Sequence, residues 1–183
     1  MRILGIDPGS AVTGYGVVER RAGKIVHVAH GTLRPPANAP LASRLDHLHR
    51  TIGEVIARHA PDCAAIEEVF VAASPRSALV LGQARGAILA ALAAGGLVVS
   101  EYTPARIKRS VTGNGRATKQ QMKLMVKRLL DLQRSPAADA ADALAAAISH
   151  AQAGRLESLG VRGAGRLRRP RVERIVFSAR RPR

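Results

Sequence analysis

Asp7, Glu67, Asp139 and Asp142 are the residues of this chain best suited to holding hard divalent cations. Acids are scarce here, 13 against 29 lysines and arginines, so where they stand is informative. Asp7 closes the apolar run Ile3-Leu4-Gly5-Ile6, and Glu67 closes Ala64-Ala65-Ile66. Asp139 and Asp142 lie three residues apart in a segment that is otherwise nearly all alanine. That spacing puts both on one face of a helix. Hard cations prefer carboxylate oxygens. Four carboxylates balance two such ions, and an ion pair of that kind can assist an in-line displacement at a phosphodiester.

Each acid also has a plainer reading. Asp7 before Pro8 is equally the pattern of a turn aspartate. Asp139 at a helix start is where the helix dipole stabilises an acid by ~0.3–1 kcal/mol. Asp142 lies too far along the helix for that and needs a partner. Glu68 follows Glu67, and strand alternation predicts that it points to the opposite sheet face, exposed or salt-bridged.

The charge says what such a site would address. The chain carries a formal charge of +16. Residues 154–183 hold ten arginines and two glutamates, and residues 106–134 hold nine basic residues and one acid, so the remainder is neutral. Two basic zones on a neutral body form a polyphosphate footprint. The plainer alternative is solubility or an arginine-rich composition. Lys119, Lys123 and Lys127 recur at i, i+4 and i+8 as one stripe, and Lys108 and Arg116 belong to the same zone. Arg76 and Arg85 offer further phosphate contacts.

The elements that must position these residues follow from hydrophobic pattern and turn chemistry. Residues 2–6, 14–19 and 25–32 read as an antiparallel meander, with Gly23-Lys24 at one turn. A helix spans 41–58, a strand 63–67, and a helix begins at Ser74-Pro75 and stops at Gly95-Gly96. Residues 97–102 form the fifth strand. A short helix follows Thr103-Pro104. Thr118 and Gln121 make a capping box for a helix to about residue 130. Ser135-Pro136 starts a last helix that ends near Gly154. The fold class is α/β: a mixed five-stranded sheet with helices on both faces. Residues 1–153 form one domain, and 154–183 form a basic tail, disordered in isolation.

With hydrophobic residues at 46% and aromatics at 2%, small aliphatic side chains must fill the core. Cys63 is the lone cysteine, so no internal disulfide forms; it reads as a packed apolar side chain, and His150 as a surface residue. The longest apolar run, 87–99, contains two glycines and falls short of the ~20 residues of a membrane span. No signal peptide is visible. These features predict a soluble, cytoplasmic protein with no membrane partner.

The motifs carry a resemblance. Gly5-Ile6-Asp7-Pro8-Gly9-Ser10 with Thr13-Gly14-Tyr15-Gly16, then Ala65-Ile66-Glu67-Glu68-Val69-Phe70, resemble the first two motifs of the RuvC family of bacterial Holliday-junction resolvases. Leu81-Gly82-Gln83-Ala84-Arg85-Gly86 and Ala138-Asp139-Ala140-Ala141-Asp142-Ala143-Leu144 resemble two more, in order and spacing, over roughly residues 1–152.

The resemblance implies an RNase H-like fold, a homodimer, and an endonuclease using Mg²⁺ or Mn²⁺, two ions per subunit. It selects Asp7, Glu67, Asp139 and Asp142 as metal ligands, with Asp7 bridging. It gives Lys119 a catalytic role beside the scissile strand, with Lys108 nearby; both also fit backbone binding alone. It implies four-way junction DNA as substrate, paired nicks leaving 5′-phosphate and 3′-hydroxyl ends, and the RuvA and RuvB branch-migration proteins as partners. Phe70 matches a family aromatic that stacks on a base; packing in the core is the equal alternative. Arg76, Arg116, Lys123 and Lys127 are expected to touch the DNA backbone. Gly14 and Gly16 permit close packing near the site. The helix from Ser74 has Gly82 and Gly86 at the spacing of a close helix contact, and the family pairs its subunits there.

Three other functions compete. An RNase H-like nuclease acting on RNA or hybrids shares the acids. A junction-binding protein without catalysis would not keep all four. An actin-like ATPase also begins with a strand ending in Asp, but it needs an Asp-Gly phosphate motif, and this sequence contains no such pair.

Overall fold

The computed structural model describes residues 1–68 and 74–158, with side chains to residue 153. Strand β1 (Arg2–Asp7) alternates between two cores. Leu4 and Ile6 enter one, and Ile3 enters the other. It pairs antiparallel with β2 (Thr13–Arg21), which pairs antiparallel with β3 (Lys24–Leu33). Their turn is Ala22-Gly23, both at positive φ (48° and 80°), one residue earlier than the expected Gly23-Lys24. Two left-handed residues match the twist of a two-residue hairpin.

On its other edge β1 pairs parallel with β4 (Cys63–Glu67), which pairs parallel with β5 (Val98–Tyr102). The order is therefore β3-β2-β1-β4-β5. Helices α1 (Leu41–His59) and α2 (Pro75–Ala94) make the crossovers to the parallel strands. They cover one face with Leu48, Ile52, Ile88 and Leu92. Helices α3 (Pro104–Thr112), α4 (Lys119–Leu129) and α5 (Ala138–Ser158) cover the other. The expected mixed sheet with helices on both faces is present.

Local signals in the sequence hold at most boundaries. Ser74 caps α2 by accepting from the Ser77 N–H, with Pro75 at the first helical position. Thr118 and Gln121 form the expected capping box of α4. The last helix departs from expectation at both ends. It begins at Ala138, because Pro136 is buried ahead of it and the first helical hydrogen bond runs from the Ala141 N–H to the Ala137 carbonyl. It also passes through Gly154 to Ser158. A helical glycine costs only about 1 kcal/mol and does not by itself stop a helix.

Candidate metal and nucleic-acid site

Three sequence facts bring the acids together. First, alternation along β1 puts Ile3, Gly5 and Asp7 on one face, and along β4 it puts Cys63, Ala65 and Glu67 on the same face. Ile3 and Ala65 pack there against α5. Second, β1 and β4 are parallel with Ile6 opposite Ile66, so Asp7 and Glu67 leave the sheet side by side. Third, α5 approaches that face closely because glycines lie beneath it. A Cβ on Gly5 would lie 2.0 Å from the Ala143 carbonyl oxygen, and one on Gly14 would lie 1.9 Å from that of Asp139. At Gly16 it would meet Leu144 at 2.7 Å. Gly14 is the register partner of Asp7, so the helix start carrying Asp139 sits next to the end of β1.

The carboxylates feel one another. Burial, then repulsion from Glu67, Asp142 and Asp139, raises the Asp7 pKa to about 8, with Lys119 opposing. Burial and Asp142 raise Glu67 to about 7, against Lys108 and Lys119. Asp142 is also raised, first by burial; Lys119 and Lys108 oppose this and Asp139 reinforces it. Acids held partly protonated near neutral pH are poised to accept a hard cation, which stabilises the ionised form. The donor set, carboxylate oxygens with no sulfur or imidazole, fits a hard divalent cation. Among the described residues no three such side chains converge on one point as ligands.

The acids border a cleft of about 340 Å³. Asp7, Glu67 and Asp142 line it together with Glu68, Lys108 and Lys119. Asp139 is half-buried beside it and acts on the cleft through its charge. Glu68 is a correction: it does not turn to the opposite face but lines the same cleft, because β4 ends at Glu67 and alternation ends with it.

Lys119 begins α4 and is exposed, while Lys108 is half-buried on α3. A second groove of about 110 Å³ runs on past Lys119, Lys123 and Asp142. Lys123 and Lys127 follow along α4, and Arg116 is exposed just before it. The basic stripe therefore leads out of the acidic cleft. Arg76 is exposed on the first turn of α2. Arg85 is instead ion-paired with Glu101 of β5, which explains its position without a ligand. Phe70 and most of the arginine-rich tail lie outside the described residues.

His150 is likewise corrected. It is half-buried, with Nδ1 2.8 Å from the Tyr102 hydroxyl and Nε2 3.4 Å from Cys63 Sγ. Cys63 is half-buried as expected of a packing residue, and burial raises its thiol pKa. Sequence reasoning also passed over Gly5 as a packing residue and Leu81 as a wall of the cleft.

Comparison with known proteins gives concordant matches. The family model described as crossover junction endodeoxyribonuclease RuvC matches residues 3–150. The chain is 53% identical over 154 residues to the crossover junction endodeoxyribonuclease RuvC of Ralstonia pickettii, covering 84% of this chain and 85% of that one. It is 52% identical over 151 residues to that of Azorhizobium caulinodans, covering 82% and 89%. Among solved structures, Thermus thermophilus RuvC in complex with Holliday junction substrate superposes with a TM-score of 0.80 at 34% identity, covering 88% of this chain and 97% of that one. The yeast mitochondrial Holliday junction resolvase Ydc2 shares the fold at 12% identity and a TM-score of 0.64, covering 86% and 83%.

Proposed function

The chain belongs to the RuvC family of crossover junction endodeoxyribonucleases, and we propose that Asp7, Glu67, Asp139 and Asp142 are the metal ligands with which it resolves Holliday junctions. One observation carries the assignment. Asp7 and Glu67, at the adjoining ends of two parallel strands, are held well above the usual carboxylate range by burial and by neighbouring acids. A buried cluster of like charges is unfavourable unless a cation joins it.

Asp7 stands at the centre of this cluster, since each of the other three acids acts on it. It would be the carboxylate best placed to help hold both ions. Two Mg²⁺ or Mn²⁺ ions per subunit would supply Lewis-acid stabilisation of the attacking and leaving oxygens at the phosphodiester. The chain's own residues do the rest. Lys119 and Lys108 bring ammonium groups to the cleft wall, where a scissile phosphate gains charge. Lys123, Lys127 and Arg116 extend that charge along α4 for the adjoining backbone. Arg76, exposed on α2, adds a backbone contact, and Phe70 is the aromatic that would stack on a junction base. The products are nicks with 5′-phosphate and 3′-hydroxyl ends.

A four-way junction has two-fold symmetry and needs two cuts, which suits a homodimer. The outward face of α2 supports one: Leu79, Gly82, Gly86, Ala90 and Ala93 are exposed in a row, with Leu79 64% accessible. RuvA and RuvB are the matching branch-migration partners, and the cytoplasm is the compartment. The nuclease unit spans residues 1–153, and residues 154–183 add basic charge to it.

Incubation with a mobile four-way junction, Mg²⁺ or Mn²⁺, and a linear duplex control tests the reading. Symmetric nicks in the junction alone are expected. Cutting of the duplex at an equal rate, or cutting that survives Asp7→Asn, would sink it.

A further inference from the structure

Helix α5 carries two of the four acids, yet its sheet-facing side is smooth. Ala140, Ala143, Ala147 and Ala151 are buried there with only Leu144 and Ile148 as large side chains. Close packing of alanine on glycine brings the helix near the sheet but offers few projections to lock its position along its own axis. Polar contacts at its C-terminal half add that lock. The Gln152 side-chain Oε1 accepts from Ser110 Oγ of α3 at 2.7 Å, and His150 Nδ1 lies 2.8 Å from the Tyr102 hydroxyl of β5.

Tyr102 is where these connections meet. It is the register partner of Glu67. Its carbonyl accepts the Glu68 N–H at 2.9 Å, which holds the end of β4. Its side chain is 96% buried by its 4% exposure and edges against His150. Arg106 of α3 lies over its ring at 4.9 Å. One residue thus touches the strand of Glu67 through its backbone and the helix of Asp139 and Asp142 through its hydroxyl.

We propose that Tyr102 and His150 form a positioning pair: the hydrogen bond between them seats α5, and with it Asp139 and Asp142, against the strand end that carries Glu67. The inference rests on the reading of the four acids as metal ligands. His150 lies eight residues beyond Asp142, roughly 12 Å along a stiff helix, so a shift at one is passed to the other. Neither residue touches the reacting atoms. Their effect is on the distance between ligands contributed by two different elements.

The test uses the full chain and two readouts, Mn²⁺ binding by calorimetry without DNA and single-turnover cutting of a saturating four-way junction. Tyr102→Phe keeps the ring and removes only the hydroxyl, and His150→Ala removes the other partner. Each is expected to weaken Mn²⁺ binding and slow cutting about 10-fold, with junction affinity in chelator kept within about twofold. The double variant should be no worse than either single one. His150→Asn, whose amide reaches the Nδ1 position, should recover most of the loss. A lower melting temperature with parental Mn²⁺ binding and cutting rate would overturn the inference, as would fully additive losses in the double variant. Asp7→Asn is the control for the underlying assignment: if it binds Mn²⁺ and cuts like the parent, the ligand set is wrong, whatever the pair does.

Discussion

Gly14 of β2 lies directly beneath Asp139 of α5: a Cβ on the glycine would stand 1.9 Å from the aspartate's carbonyl oxygen. The obstacle is helix backbone, which cannot rotate away as a side-chain tip would. Gly14→Ala must therefore lift the start of α5 from the sheet. The expected cost is about 1–3 kcal/mol of stability, with cutting reduced more than junction binding because Asp139 moves relative to Asp7. Gly53→Ala is the matched control. Gly53 is exposed in α1 with open space around its Cβ position, so alanine there should stabilise by ~0.5–1 kcal/mol. Thermal melting of the two variants should move in opposite directions.

Asp7→Asn should abolish cutting, with a loss of at least ~10²–10³-fold, while leaving junction binding largely intact. It should also change how stability depends on pH in chelator. Folding raises Asp7 to about 8 and Glu67 to about 7. An acid with a raised pKa binds its proton more tightly when folded, so its ionisation opposes folding. That penalty is absent below the ordinary carboxylate range, grows as pH climbs, and is complete above about 8 for Asp7. The parent's melting temperature should therefore fall across this window. Asp7→Asn should flatten the fall and melt higher than the parent at pH 8. A lower melting temperature there would mean that Asp7 is structural.

What could be read ahead of the structure was local. Asp7 and Glu67 end strands that their apolar runs mark, and Asp139 and Asp142 share a face by spacing alone. Gly14 and Gly16 stood out for the same reason. The parallel pairing that sets Asp7 beside Glu67 came from the structure. Contacts between distant segments were invisible to periodicity. His150 meets Tyr102 across 48 residues and Cys63 across 87, so nothing in its own neighbourhood marked it as half-buried. Arg85 looked like a free cation until β5 placed Glu101 beside it. Glu68 was misjudged because alternation was extended one residue past the end of β4. The start of α5 was misjudged because Ser135-Pro136 has the form of a cap, although Pro136 is buried ahead of the helix.

Lys119 and Lys127 share one stripe but should fail differently. Lys119 opposes the raised pKa values of Asp7, Glu67 and Asp142, and it lines the cleft. Lys119→Ala should slow cutting of bound junction on the order of 10²-fold. It should also move the acidic limb of the pH–rate profile to higher pH, since the three acids lose a cation that favours ionisation. Lys127→Ala should act through affinity. Replacing one phosphate contact lowers the slope of log affinity against log salt by about 0.9 for duplex arms. Removal of residues 159–183, which hold nine arginines and one glutamate, should flatten that slope further. An unchanged slope would mean that these arginines avoid phosphate.

Among the described residues, Gly82 and Gly86 of α2 have nothing within 4 Å of their Cβ positions, so no described contact requires them to be glycine. Each weakens an isolated helix by about 1 kcal/mol relative to alanine. In the proposed dimer their use would lie between subunits, where absent side chains would let a second helix approach Leu79, Ala90 and Ala93. This separates two effects by sign. Gly86→Glu gives α2 a better helix former, so the isolated subunit should gain a few tenths of a kcal/mol. The same change puts a charged side chain on an apolar contact face, so self-association should weaken by tenfold or more, about 1.4 kcal/mol. Sedimentation equilibrium should show a dimer for the parent and a monomer for the variant at the same concentration. On a four-way junction the variant should leave singly nicked intermediates where the parent makes paired cuts. A variant that remains dimeric would place the interface on another face.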